Sequence, residues 1–227
     1  MANTTMKSLH FSYHEWDVVE EQFDIANNFQ NETIFALGNG YLGMRGTFEE
    51  GYSGPEWPGK DGTYINGFYE SEVIKYPEIA YGYPDKSQTM LNVADSKLIK
   101  LIVDGEEFTM LAGEVTEYRR TLSFKEGILR RSLIWSSPLG KKVKIDIQRM
   151  ISFVHQHQAA ICYEVTPLNF NGKIKLIAVV NGDVANLSAE NDPRVGSGLQ
   201  GRVLMVKQVL GENDFGLILQ QTRNSGL

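Results

Sequence analysis

From Asn92 onward, apolar and polar residues alternate along the chain. In KVKIDIQ, Val143, Ile145 and Ile147 alternate with Lys142, Lys144, Asp146 and Gln148. That period of two predicts a strand with one buried and one wet face. KLIKLIV (97–103) and EEFTML (106–111) flank Asp104-Gly105, a signal for a type I′ hairpin. ILRRSLIW (128–135) and KKVKIDIQRMISF (141–153) flank SSPLG, a Pro/Gly turn. AAICYEVTP, KIKLIAVV, RVLMVKQVL and FGLILQQT extend the series. Strands at this spacing, joined by short turns, predict an all-β fold, a large antiparallel β-sandwich with few short helices. Trp135 falls in one of the alternating strands and is expected in the core. Helical periodicity is confined to a weak stretch at Val18–Ile25.

Residues 51–90 break the pattern. They are dense in Gly and Pro and carry eight aromatics, Tyr52, Trp57, Tyr64, Phe68, Tyr69, Tyr76, Tyr81 and Tyr83. That aromatic content argues against disorder. The expectation is an ordered excursion packed on something, such as another domain.

Length and charge narrow the classes. A chain of 227 residues can form one large β domain. A net charge of −6 argues against a nucleic-acid surface, which needs an excess of cations to replace counterions along phosphates. The sole cysteine, Cys162, sits in the apolar run AAICYEV and is expected to be a small buried hydrophobe. No apolar h-region opens the chain and no run reaches membrane-spanning length, so a cytoplasmic protein with no membrane partner is the simplest expectation.

Gly38-Asn39-Gly40-Tyr41-Leu42-Gly43 fits G-x-G-x-x-G. A dinucleotide site requires a strand before it and a helix after it. Thr33–Leu37 is a candidate strand, but MRGTFEEGYSGPEWPGKDG, which begins at Met44, is too rich in Gly and Pro to continue as a helix. Asn39, Gly40, Gly43 and Gly46 are therefore expected as structural turn residues, with positive φ at the glycines.

Other chemistry is thin. Glu49 and Glu50 are adjacent, and neighbours on a strand point to opposite faces, which suits them poorly to flank one bond as a general acid–base pair. His155 and His157 could share a strand face but lack a third metal ligand. Asp183, Glu190 and Asp192 lack Ca²⁺-loop spacing, and no nucleophile elbow is present. No metal and no cofactor is expected. Arg45 stands between turn glycines, where its guanidinium could lock loops through a carboxylate such as Glu49. Tyr64 and Tyr69 could pack against a neighbouring domain or stack on a sugar.

The combination of NGYLGMRGTFEE at 39–50, GTYINGFYE at 62–70, Asp104-Gly105-Glu106, LSFKEGILRRSLIW at 122–135, RMIS at 149–152 and NGDVAN at 181–186 resembles the N-terminal domain of glycoside hydrolase family 65. That family includes maltose, kojibiose and trehalose phosphorylases and some trehalose hydrolases. The resemblance implies a supersandwich-like fold and a single domain, residues 1–227, of a larger enzyme. It also implies a separate (α/α)6 catalytic barrel, absent from this chain, as the domain's partner. The parent would cleave an α-glucosidic disaccharide with inversion, using inorganic phosphate as co-substrate or water, and family phosphorylases are often homodimers. By the same resemblance the catalytic residues lie in the barrel, none falls in this chain, and the isolated chain is expected to be inactive. Arg45, Glu49, Tyr64 and Tyr69 would then be substrate or interdomain contacts. Leu122-Ser123 and Asn181-Gly182 depart from the Leu-Asp and Asp-Gly common in the family, which blurs the subfamily. The alternatives are a freestanding carbohydrate-binding β-sandwich and a nucleotide-dependent enzyme, the latter requiring a helix after Gly43.

Overall fold

A computed structural model describes residues 11–51, 62–78, 80–186, 199, 201–212 and 214–227. In chain order these form β1 (Phe11–Tyr13), β2 (Asp17–Glu20), α1 (Ile25–Ile34), β3 (Leu37–Gly38), β4 (Leu42–Met44), β5 (Thr63–Val73), β6 (Lys86–Asn92), β7 (Asp95–Val103), β8 (Glu106–Glu107), β9 (Glu114–Ser123), β10 (Ile128–Ser136), β11 (Lys142–Ile151), β12 (Ala159–Pro167), β13 (Ile174–Asn181), β14 (Leu204–Glu212) and β15 (Phe215–Thr222).

The strands form four antiparallel sheets: β1-β2-β9-β10-β11-β12, β13-β7-β8, β3-β4-β5-β6 and the hairpin β14-β15. The all-β antiparallel expectation holds. The main core lies between the first two sheets. Leu101 and Val103 of β7 pack with Leu133, Trp135, Val143, Ile145 and Ile147 of β10 and β11. Alternation along β11 is as predicted, with Val143, Ile145 and Ile147 buried. Trp135 is buried, and its indole nitrogen donates to the Ala112 carbonyl at 2.7 Å. Asp104 and Gly105 have φ of 48° and 95°, the two positive values a type I′ turn requires.

The N-terminal half departs from expectation in two places. Of the stretch Val18–Ile25 only Ile25 is helical: Asp17–Glu20 is a strand, and the helix begins at Ile25. Asp24 sets that start, its carboxylate accepting the Ala26 N–H at 2.9 Å as an N-cap. Residues 62–90 are chiefly a long β5–β6 hairpin, and only its tip carries loop aromatics. Tyr52 and Trp57 lie outside the described residues.

β9 is regular at both ends but shifts register against β10 near Leu133. Glu117, at φ 51°, marks the extra residue. The bulge changes which parity faces inward, so Val115 before it and Tyr118, Arg120 and Leu122 after it all face the core.

Cys162 is exposed, not buried. On edge strand β12, Ile161, Tyr163 and Val165 face the core, which turns Cys162 outward. No described helix is long and apolar enough to cross a membrane.

Candidate functional site

Three arginines occupy inward-facing strand positions. Arg120 on β9 pairs directly with Arg131 on β10, and Arg149 on β11 lies opposite Leu129, diagonal to Arg131. All three are buried. Buried guanidinium groups need carboxylates and carbonyls around them, and the segment Arg45–Glu50, between β4 and β5, supplies most of these.

Glu49 is fully enclosed. It accepts from Arg149 Nε at 3.0 Å and Arg131 Nη2 at 3.1 Å, and Arg149 Nη2 makes a second contact. Arg131 also forks onto both oxygens of Glu50, with Nη1 to Oε1 at 2.8 Å. Arg149 donates to the Arg45 carbonyl at 3.1 Å and to the Thr47 carbonyl. Arg120 donates to the Gly46 carbonyl and lies 3.8 Å from Glu20. Its guanidinium sits over the Phe35 ring at 4.3 Å, and that of Arg131 sits over Phe48 at 4.1 Å. Glu20 in turn accepts from the Tyr118 hydroxyl at 2.7 Å and the Asn31 amide at 2.6 Å.

The protonation states follow. Burial by itself raises the Glu49 carboxyl pKa; the attraction of Arg149 and Arg131 and their hydrogen bonds outweigh it and hold the pKa below the usual carboxylate value. Burial pushes the hydroxyls of Tyr118 and Tyr163 well up, so both stay neutral. A carboxylate held ionised by two arginines is no proton donor at neutral pH. The cavity among Phe48, Glu49, Arg120, Leu129, Arg131 and Arg149 measures about 10 Å³. That is about one water molecule, far below the hundreds of cubic ångströms a sugar needs. The cluster is a structural lock holding the Arg45–Glu50 segment to the sheet.

Arg45 makes an ion pair, but with Glu32 at 3.4 Å, where Glu49 was the expected carboxylate. It also donates to Thr33 Oγ1 at 2.8 Å and to the Phe29 carbonyl at 2.9 Å. The reason is reach: Glu49 is already enclosed by Arg131 and Arg149, while α1 presents Glu32 beside Arg45. Arg45 and Glu49 thus share one network through Arg149. Tyr64 stands opposite Gly43 and Asn92 on β5. Burial raises its hydroxyl pKa, and Arg45 partly offsets this. Tyr69, further along β5 opposite Met90, is not brought into the cluster by any contact among the described residues.

The turn residues divide. Asn39 accepts the N–H groups of Tyr41 and Leu42 at 2.9 and 2.8 Å, and donates to the Ser152 and Gln156 carbonyls at 2.6 and 3.0 Å. Gly40, at φ 88°, is a true left-handed turn glycine. Gly43 and Gly46 do not have positive φ, contrary to expectation. Gly43 lies in β4. At Gly46 a Cβ would come within 2.7 Å of Phe35 O and Arg120 Nη2, so glycine is required there by close packing. Strand β4 follows directly on Gly40-Tyr41, and among the described residues no helix follows Gly43, which removes the nucleotide reading. His155 and His157 lie in the β11–β12 loop rather than on a strand. No group of three metal-binding side chains occurs among the described residues.

Sequence reasoning misses Arg120, Arg131 and Arg149. For two of them a signal exists, since the alternation that buries Leu129, Leu133, Ile147 and Ile151 places Arg131 and Arg149 on the same apolar face.

Residues 18–227 match the family model for the glycosyl hydrolase family 65 N-terminal domain. The chain belongs to this family. Over 225 residues it is 49% identical to an alpha,alpha-trehalose phosphorylase of Thermoanaerobacter brockii, covering 99% of this chain and 29% of that protein. It is 38% identical to the alpha,alpha-trehalose phosphorylase of Geobacillus stearothermophilus, covering 93% of this chain and 28% of that protein. A kojibiose phosphorylase of Caldanaerobacter subterraneus is 32% identical over 80% of this chain and 22% of its own length. The fold matches a solved structure from the human microbiome assigned as a kojibiose phosphorylase, with a TM-score of 0.76 and 23% identity over 95% of this chain and 27% of that one. This family 65 chain therefore spans under a third of the length of these relatives.

Proposed function

We propose that this chain is a non-catalytic domain of a longer, inverting disaccharide phosphorylase, and that it braces the catalytic (α/α)6 barrel. The observation that carries this reading is the fate of four carboxylates among the first fifty residues. Glu20, Glu32, Glu49 and Glu50 are each committed to arginine or amide partners inside the fold. An inverting site needs two carboxyl groups about 6.5–9.5 Å apart across an open cleft, and the cavity beside Glu49 admits no sugar. The general acid and the phosphate site then belong to the rest of the parent, with inorganic phosphate as co-substrate and no other cofactor. The 49% identity to a trehalose phosphorylase, against 32% to a kojibiose phosphorylase, supports α,α-trehalose as the disaccharide.

The test is turnover of trehalose, kojibiose and maltose, with and without phosphate, by this chain and by its full-length parent. Phosphate-dependent trehalose cleavage by the parent alone is the expected result. Turnover by the 227-residue chain itself would sink the reading.

A second reading, direct carbohydrate binding, has one observation in its favour. At the tip of the β5–β6 hairpin Tyr81 is fully exposed, and Tyr83 is exposed beside Tyr76 at a ring distance of 5.0 Å. Flat aromatic faces suit sugar rings. Titration of the chain with trehalose, followed by tyrosine fluorescence, decides it: no change up to tens of millimolar removes sugar binding at that tip.

A further inference from the structure

Glu70, the last residue of the stretch GTYINGFYE, lies in β5 opposite Thr89 and is wholly buried. Its setting differs from that of Glu49. Glu49 is enclosed by two guanidinium groups, whereas backbone amides surround Glu70. Its Oε2 accepts the N–H of Asn224 at 2.6 Å, and its Oε1 accepts the N–H of Ser71 at 2.9 Å. The N–H of Ser225 reaches both oxygens, at 3.1 and 3.3 Å. N–H groups converging in this way form an anion-binding concavity. Burial by itself raises the Glu70 carboxyl pKa; the hydrogen bonds from Asn224, Ser71 and Ser225 outweigh it and hold the pKa below the usual carboxylate value.

The segment that supplies Asn224 and Ser225 is a compact turn. The Thr222 N–H donates to the Leu227 carbonyl at 2.8 Å, and the Leu227 N–H returns to Thr222 Oγ1 at 2.8 Å. The Arg223 N–H donates to the Val203 carbonyl at 3.1 Å, and Asn224 Nδ2 donates to the Ser71 carbonyl at 3.1 Å. The turn thus bridges β5 and the start of β14, which belong to different sheets. Its side chains from Arg223 to Leu227 are exposed. Apolar burial therefore contributes little to holding it, and the bonds to Glu70 and Ser71 carry the load. A buried carboxylate costs more than an apolar side chain of its shape unless its hydrogen bonds are used. Glu49 compensates arginines; the use of the Glu70 charge is to hold residues 224 and 225.

We propose that Glu70 is a latch: its carboxylate holds Asn224 and Ser225 and thereby fixes the direction in which the polypeptide leaves the sandwich for the rest of the parent. This rests on the reading of the chain as one domain of a longer protein. The matched family model is that of an N-terminal domain, so in such a parent the polypeptide runs on past this turn.

Hydrogen exchange and trypsin digestion of the full-length parent test it. Glu70→Gln keeps the shape of the side chain. Both oxygens accept N–H groups, so either orientation of the new amide sets its NH₂ against a donor. Exchange at Asn224 and Ser225 is expected to be about 10- to 100-fold faster, the scale of a lost hydrogen bond to a charged group. Cleavage after the exposed Arg223 should quicken with it, while exchange in β10 and β11 stays unchanged. Asn224→Ala alters an exposed side chain and removes only the bond to the Ser71 carbonyl. It should speed exchange at the same two amides by about 2- to 10-fold, the scale of a neutral hydrogen bond. Equal exchange at residues 224 and 225 in both variants and the unaltered parent overturns the proposal. So does acceleration spread evenly through β10 and β11, which would make Glu70 a support of the whole fold. Phosphate-dependent cleavage of trehalose by the unaltered parent is measured on the same preparation. Its absence fails the domain reading, whereas an active parent whose two amides ignore Glu70→Gln fails the latch alone.

Discussion

Replacing Glu49 by alanine removes the centre of the arginine cluster without touching any strand. In the folded chain Glu49 is 2% exposed and is the common partner of Arg131 and Arg149. Arg131 keeps Glu50, and Arg149 keeps the carbonyls of Arg45 and Thr47, but Arg149 loses its only carboxylate among the described ion pairs. Removing one partner of a buried pair costs about 3–5 kcal/mol, since the other charge stays buried and uncompensated. For a chain of this size roughly 2–4 °C of midpoint accompanies each kcal/mol, so Glu49→Ala should lower the thermal midpoint by roughly 6–20 °C. The assay is urea and thermal unfolding followed by circular dichroism and by Trp135 fluorescence. A double-mutant cycle with Arg149→Ala isolates the pair: the double variant should lose less than the sum of the singles, by about 1–3 kcal/mol. A loss below about 1 kcal/mol for Glu49→Ala, or a cycle additive within about 0.5 kcal/mol, would refute the view that this cluster locks the Arg45–Glu50 segment.

The same carboxylate predicts a pH dependence. Its pKa in the folded state lies below the ordinary 4.5, so its contribution is complete above about pH 4.5 and is lost as pH falls through the folded value. Glu49→Gln should therefore show a shallower loss of stability below pH 4.5 than the unaltered chain; parallel curves would contradict the assignment. At Gly46 an added methyl meets the Phe35 backbone at 2.7 Å, whereas at Gly43 nothing lies within 4 Å. Gly46→Ala should cost about 1–3 kcal/mol by overpacking and Gly43→Ala less than about 0.5 kcal/mol, measured as urea midpoints; equal effects would refute the close-packing role of Gly46. Asn39→Ala removes two bonds to the turn and two to the β11–β12 loop. The expected cost is about 1–3 kcal/mol, with faster hydrogen exchange at Tyr41 and Leu42, and unchanged exchange at those amides would count against the cap.

Alternation makes β10, β11 and β12 legible in the amino-acid sequence, since each keeps a single buried parity from end to end. β9 is not legible as a strand: the bulge at Glu117 inserts one residue and reverses the parity midway, which erases the period. Periodicity places the helix too early because the apolar residues Val18 and Val19 belong to a strand, and the start is decided by the Asp24 cap rather than by hydrophobicity. Cys162 reads as buried because its neighbours are apolar, but adjacent strand residues face opposite ways. At the site, the sequence offers Arg45 and Glu49 as charged residues in a glycine-rich segment. It cannot assign their partners, because Arg149 lies 100 residues beyond Glu49 and Glu32 belongs to a helix that the local pattern does not reveal.

The sequence by itself determined the class of fold, the hairpin at Asp104-Gly105, the core position of Trp135 and membership of the family. Each of these is set by local pattern or by short motifs in order, and each survives without knowing which strands meet. Only the tertiary structure decided what the Arg45–Glu50 segment does. The register of β9, β10 and β11 brings Arg120, Arg131 and Arg149 into one buried row, and the cost of enclosing three cations obliges Glu20, Glu49 and Glu50 to meet them. Carboxylates that could have been read as catalytic are thereby fixed as the lock of the fold.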